Sequence, residues 1–113
     1  MRIYLPKEPR RDELEISSVL YALSDPIRLN IVRQLSDVES LPCGEFKIDK
    51  PKSSLSHHFR VLRESGVVAT RREGTALLNT LRHKDLNHRF PGLLKAILRA
   101  PARHAKSRTG TRR

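Results

Sequence analysis

The stretch KSSLSHHFRVLRESG, Lys52 to Gly66, has the spacing of a helix. Leu55, Phe59 and Leu62 fall on one side, and Gly66 is a usual residue just past a helix end. The other side needs a reason. Ser53, Ser56, His57 and Arg60 lie at i, i+3, i+4 and i+7, where a solvated helix carries Glu and Lys. Ser and His both donate and accept hydrogen bonds, so such a face can read base edges or grip phosphates. Lys52 and Arg60 bracket it with positive charge. Lys52, Ser53 and Ser54 also stand at the helix start, where free backbone N–H groups favour a phosphate. Each residue has a plainer reading beside this one. Ser53 and Ser54 also suit a helix start for its own sake, His57 can be a solvated surface residue, and His58, next to Phe59, leans inward as a packing residue.

The charge distribution around this stretch supports a polyanion partner. The 113 residues carry a net charge of +11. Residues 1–45 hold 6 Lys/Arg against 8 Asp/Glu, whereas residues 46–113 hold 17 against 4. A one-sided basic block is the electrostatic footprint of a nucleic-acid binder. Hydrophobic content is 37%, aromatic content is 4% and there is no Trp. So lean a core favours burial of further apolar surface against a partner subunit. The single cysteine, Cys43, excludes an intramolecular disulfide and fits a reducing cytoplasm. No apolar run approaches a membrane span, and the charges and prolines of the opening residues do not suit a signal peptide. The expected location is the cytoplasm, with no membrane partner.

Upstream, Ile16, Val19, Leu20 and Leu23 form one face of a helix expected from about Asp12 to Leu23. In LSDPIRLNIVRQLSD, Asp25 is a good N-cap and Pro26 suits the first helical position. Ile27, Ile31, Val32 and Leu35 form the buried stripe of a second helix ending near Ser36. A short helix from Pro42 to Ile48 is expected before DKPK breaks it. Downstream, VVATRREGTALLNTLR reads as two strands around a charged turn at Arg72 to Thr75, with Leu77, Asn79 and Leu81 on one face. Arg71 and Arg72 on this hairpin are either DNA-touching or ordinary solubility charges. HKDLNHRF is a short helical turn, and Pro91 can start a last helix with Leu93, Leu94, Ile97 and Leu98 as its apolar face. The tail from Pro101 is basic, poor in large apolar residues and expected to be disordered.

This order of elements is mainly α with a small β-hairpin, a winged helix-turn-helix, in which the second helix of the pair lies in the major groove. The expected organisation is one winged domain over 1–100 followed by the basic tail 101–113. LSDPIRLNIVRQL followed by SSLSHHFRVLRESGVVATRREGTALLNTLR resembles the ArsR (arsenic-repressor) family of bacterial transcriptional regulators, over about Leu20 to Leu98. The resemblance implies a homodimer that represses its own operon, binds a palindromic operator in double-stranded DNA and releases it when an inducer binds. By position it assigns Lys52, Ser53, Ser56 and His57 to the major groove and Arg71 and Arg72 to the wing. It assigns the first and last helices to the dimer interface, here Ile16, Val19, Leu20 and Leu23 with Leu93, Leu94, Ile97 and Leu98.

Many such proteins sense metals. One family site uses a Cys-x-Cys pair where this chain has LPCGEF, with no second thiol for Cys43. Another uses Asp and His on the last helix. Asp85 and His88 at i, i+3, with His83 near, are weak candidates for half of such a site, and only His104 is available for the other half. The expectation is a regulator without a metal or other cofactor, whose small-molecule inducer, if it has one, is unidentified. A different class of function is a non-specific nucleic-acid or architectural protein on the same fold. An enzyme is not expected: there is no glycine-rich phosphate loop and no paired acid/base carboxylates. Ser56 and His57 are helix neighbours that point about 100° apart, so they make no nucleophile–base pair.

Overall fold

The structure, a computed structural model, describes residues 7–101. Residues 1–6 and 102–113, which include most of the expected tail and His104, lie outside the described residues. The helices are α1 (Ile16–Ala22), α2 (Pro26–Ser36), α3 (Lys52–Ser65), α4 (His83–Arg89) and α5 (Leu93–Arg99). The strands are β1 (Leu41–Pro42), β2 (Val68–Glu73) and β3 (Ala76–Leu81). Short 3-10 turns occupy Arg11–Glu13 and Cys43–Glu45. None of these helices is long and apolar enough to cross a membrane.

The three-helix part closes on Val19, Ala22, Ile31, Val32, Leu35 and Leu62, and Val67 with Val68 and Leu81 of the sheet completes it. Leu86 of α4 and Leu94 of α5 join the same core. Phe46 meets Phe59 of α3 edge to face, ring centres 5.1 Å apart, so the loop between α2 and α3 is plugged into the core by an aromatic pair.

Three expected elements differ. The first helix is broken: Leu14 and Glu15 are extended, and α1 begins only at Ile16. Leu14 is fully buried, and its carbonyl accepts from Arg89 Nη2 at 2.8 Å, so a tertiary anchor on α4 takes the place of a helical bond. The expected helix from Pro42 to Ile48 is one 3-10 turn. Leu41 and Pro42 pair with Asn79 and Leu78 of β3 instead, and so short a segment containing Gly44 cannot offset the cost of helix nucleation. The last helix starts at Leu93, because Gly92 ahead of it is left-handed at φ 86, a conformation that does not continue a helix from Pro91.

The sheet order is β1-β3-β2, all antiparallel, with Thr70 opposite Asn79. Asn79 is fully buried. It accepts from Thr70 Oγ1 at 2.7 Å and donates to the Leu41 carbonyl and to Cys43 Sγ, each at 3.2 Å. One amide therefore ties all three strands together. At the tip, Gly74 at φ 62 is the first of two loop residues, as two-residue hairpins require.

Arg28 holds the helices in place. It is only 5% exposed. Its Nε donates to the Ala22 carbonyl at 2.7 Å and its Nη2 to the Tyr21 carbonyl at 3.2 Å, both at the end of α1, where the Tyr21 carbonyl also accepts from the Ser24 N–H and hydroxyl. Its guanidinium also lies 5.1 Å from the centre of the Tyr21 ring. Nη1 meets His58 Nδ1 of α3 at 3.1 Å. A guanidinium only donates, so Nδ1 is the unprotonated nitrogen and His58 is neutral. Asp25 caps α2 through bonds from the Ile27 and Arg28 N–H groups at 2.8 and 3.1 Å, and lies 3.8 Å from His58. Burial lowers the His58 pKa, with Arg28 and His57 adding to the effect and Asp25 opposing it. Burial raises the Asp25 pKa, but the bonds from the Arg28 and Ile27 N–H groups, helped by the Arg28 charge, outweigh it and leave the value lowered.

Gly66 ends α3. Its N–H bonds to the Arg63 carbonyl, and the Val67 N–H to the Leu62 carbonyl, each at 3.1 Å, which is the Schellman pattern. At φ 86 a side chain is disfavoured, and a Cβ here would run into Leu14 Cδ2 and approach Pro9 Cγ at 3.0 Å.

Gly66→Ala should lose about 2–4 kcal/mol in denaturant unfolding, from left-handed strain and the clash with buried Leu14. Arg28→Met should lose about 3 kcal/mol, because it strands the Ala22 carbonyl and His58. The unfolded chain protonates at His58 near the ordinary value of 6.5 and the folded chain only at lower pH. The His58 contribution is therefore complete above that value and lost as pH falls through the folded pKa. The melting temperature should accordingly drop more between pH 7 and 5 in the natural chain than in His58→Gln, whose side-chain oxygen still accepts from Arg28. Equal slopes would refute the role of His58.

Candidate nucleic-acid interface

α3 is amphipathic in an unusual sense. Phe59 and Leu62 are buried, Leu55 is half-buried, and His58 and Arg63 also turn inward. Lys52, Ser53, Ser56, His57 and Arg60 are all exposed, and Ser54 is partly so. None of these six side chains has a hydrogen-bond or ion-pair partner among the described residues. The helix opens after Pro51 with no side-chain capping bond, which leaves its first N–H groups without a side-chain acceptor. The structure therefore presents together a row of bidirectional polar groups, two cations and uncapped backbone donors.

The two histidines divide as their positions on the helix imply. His57 is outside, and His58 is 8% exposed and bound to Arg28. The two arginines divide likewise. Arg60 is outside, whereas Arg63 is 9% exposed and its Nε has no hydrogen-bond partner among the described residues. Sequence reasoning missed that Arg28 is a structural residue. The available signal was its place three residues after the Asp25 cap, on the same side of α2 as Ile31, Val32 and Leu35.

Arg71 and Arg72 are both exposed on β2. Strand alternation puts them on opposite faces of the hairpin, so the wing carries one cation on each side. Arg71 lies 3.8 Å from Glu73, a loose exposed contact worth little. Arg72 has no such partner among the described residues.

The expected dimer residues also divide. Val19, Leu23 and Leu94 point into the chain's own core at 0%, 6% and 4% exposure. They are not free to meet a partner, because a 3.6-residue repeat marks an apolar face without saying what covers it. Ile16 and Leu20 are 44% and 47% exposed, and Leu93, Ile97 and Leu98 are half-buried.

The metal candidates do not converge. Asp85 accepts from Arg11 Nε at 2.8 Å and Arg82 Nε at 3.0 Å. The Arg11 bond and, against burial, Arg82 hold its carboxyl below the usual range. Both oxygens are thus taken, and His88 is an exposed residue one turn on. Among the described residues no three His, Cys, Asp or Glu side chains cluster as a metal site would need.

Comparison with known proteins agrees with this geometry. Residues 25–70 match the family model "Bacterial regulatory protein, arsR family". An uncharacterised HTH-type transcriptional regulator of Bacillus subtilis, YceK, is 36% identical over 84 residues, covering 72% of this chain and 84% of the relative. The arsenical resistance operon repressor of Staphylococcus xylosus is 36% identical over 77 residues, 66% of this chain and 72% of the relative. Among solved structures, the transcriptional repressor BigR from Xylella fastidiosa is similar with a TM-score of 0.55 and 32% identity, over 66% of this chain and 85% of that one. HlyU from Vibrio cholerae is similar with a TM-score of 0.56 and 28% identity, over 71% and 90%. With α3 as the recognition helix and β2–β3 as the wing, the chain belongs to the arsR family of bacterial regulatory proteins.

Proposed function

We propose that the chain is a sequence-specific DNA-binding transcriptional regulator, a homodimeric repressor of a palindromic operator, acting in the cytoplasm and without catalytic activity. The observation that carries this reading is the outer face of α3. Five exposed polar and cationic side chains there have no partner within the described residues. A monomer gains no stability from such a row, whereas base edges and phosphates satisfy it.

In this reading Ser56 and His57 reach base edges. Lys52, Ser53, Ser54 and Arg60 hold phosphates and fix the register, and Arg71 and Arg72 straddle the backbone beside the groove. The winged domain covers residues 1–100, and the basic residues of 101–113 form a separate tail. A second copy meets the chain through exposed Ile16 and Leu20 of α1 together with Leu93, Ile97 and Leu98 of α5, which places two copies of α3 on successive major grooves. A small-molecule inducer belongs to this reading through the family, and no residue is assigned to it.

The test is a titration at several salt concentrations of the protein with its own promoter region and with a scrambled duplex of equal length. Tight binding to the promoter alone is expected, unchanged by zinc or a chelator. His57→Ala or Ser56→Ala should weaken promoter binding by about 1–3 kcal/mol and leave the scrambled duplex nearly unaffected. Equal binding to both duplexes would favour a non-specific architectural protein instead. For the dimer, Leu20→Glu should shift sedimentation equilibrium from dimer to monomer while the circular dichroism stays native. A variant that remains dimeric would move the interface elsewhere.

A further inference from the structure

A groove runs between α1 and α3. Ser17, Ser18 and Tyr21 form one wall and Val61, Glu64 and Ser65 the other, around a cavity of about 320 Å³. That is the lower end of the roughly 300–1,000 Å³ that small-molecule sites occupy. Helical geometry sets it apart from the surfaces already described. Ser17 and Tyr21 each stand one residue after Ile16 and Leu20, so they are turned about 100° from the side proposed to meet a second copy. Val19 and Ala22 take the core side and are fully buried. The groove is thus a third face of α1.

Its polar groups are unused. Ser17, Ser18, Tyr21 and Glu64 are all exposed. Among the described residues their three hydroxyls and one carboxylate have no hydrogen-bond or ion-pair partner. Arg60 and Arg63 flank Glu64 on its own helix, yet neither comes within ion-pair distance of it. Ser65, by contrast, is buried, and its hydroxyl donates to the Leu62 carbonyl at 3.0 Å. The groove therefore offers a free carboxylate, three hydroxyls, an aromatic ring and the Val61 methyls. A carboxylate beside an aromatic ring selects a cation, and hydroxyls accept its remaining N–H groups. An anion, which the rest of a chain of net charge +11 attracts, is the ligand this groove disfavours.

Both walls bear on the recognition helix. Val61 and Glu64 lie at i+4 and i+7 from His57 and continue its stripe along α3. The Arg28 guanidinium lies 5.1 Å from the centre of the Tyr21 ring, and Arg28 bonds His58 at 3.1 Å, the contact that fixes the rotation of α3. An occupant pressing on Tyr21 and Val61 displaces the ring on which Arg28 rests and loosens that contact. We propose that the α1–α3 groove is the inducer site, that it takes a small organic cation through Glu64 and Tyr21, and that its occupation opposes operator binding. The proposal rests on the regulator reading above and gives that reading's inducer a chemical class and a place.

The test uses the full chain and three probes of similar size, benzylamine, benzyl alcohol and benzoate. Amide chemical shifts of nitrogen-15-labelled protein report where each binds. Benzylamine should shift Ser17, Ser18, Tyr21 and Glu64 with a Kd on the order of 1 mM, as suits so small a molecule, and the other two should bind about tenfold more weakly. Glu64→Gln should bring benzylamine down to the level of benzyl alcohol, and Ser17→Trp should block the groove. Glu39→Gln, an exposed acid elsewhere, should match the natural chain. In promoter titrations at matched ionic strength, since salt alone weakens DNA binding, saturating benzylamine should weaken the natural chain about fivefold or more and leave Glu64→Gln unaffected. Tight promoter binding with no shifts in the groove would overturn the site and leave the regulator reading intact. Equal binding of the three probes would overturn the cation class. Groove binding with unchanged promoter affinity would overturn the inducer role. A chain that takes benzylamine in the groove but binds no duplex would overturn the regulator reading and the inducer role with it.

Discussion

Arg28 is a charge almost out of contact with water, and a buried guanidinium is tolerable only when its donors are matched. The matches are what assemble the domain. Two of its bonds end α1 at the Tyr21 and Ala22 carbonyls, its own N–H helps Asp25 begin α2, and its third bond reaches His58 in the middle of α3. One side chain thus fixes where the first helix stops, where the second starts and how the recognition helix is rotated. Rotation matters most, because adjacent helical residues point about 100° apart. With His58 turned inward, His57 must face out.

The wing is placed by a second buried polar group with the same logic. Asn79 has no exposure and satisfies Thr70, Leu41 and Cys43 at once. An apolar residue in its place would pack but would not choose a register, whereas a two-residue slip of β3 that kept Asn79 inside would part it from Thr70 and strand its amide in the core. Register in turn decides which arginine of the pair Arg71 and Arg72 faces each side of the hairpin. Both parts of the proposed DNA-binding surface therefore depend on interior hydrogen bonds whose failure is costly, rather than on the surface residues themselves.

What could be read from the sequence were the elements with local causes. α2 has its cap and proline, α3 has its periodicity and closing glycine, and the hairpin has its alternating strands around Gly74. The surface row on α3 was equally legible, since residues spaced i, i+3, i+4 and i+7 share a face wherever a helix forms. The misread parts have tertiary causes. The helix expected from Asp12 is broken because Leu14 is drawn under Gly66 and its carbonyl is claimed by Arg89, 75 residues away. Val19, Leu23 and Leu94 carry the same periodic signal as Ile16 and Leu20, yet the first three fill the chain's own core. At Asp85, whose spacing made it only a weak metal candidate, Arg82 three residues before it and Arg11, 74 residues away, take the carboxylate.

α3 itself shows how stability and recognition are separated along one helix. Its first two turns hold Ser53, Ser54, Ser56, His57 and His58, all weaker helix formers than Leu, Arg or Glu, and they begin without a side-chain cap. Its last two turns hold Leu62 and Arg63, both buried, and close in the Schellman bonds of Gly66 and Val67. The helix is therefore anchored from its C-terminal end and by the His58–Arg28 bond, while its N-terminal end, proposed to meet DNA, is the one with least intrinsic helical preference. A phosphate at the first N–H groups would supply the acceptor that Pro51 cannot, so binding would complete a cap that folding leaves open. The order of this end of the helix would then be coupled to the bound phosphate through those same backbone groups.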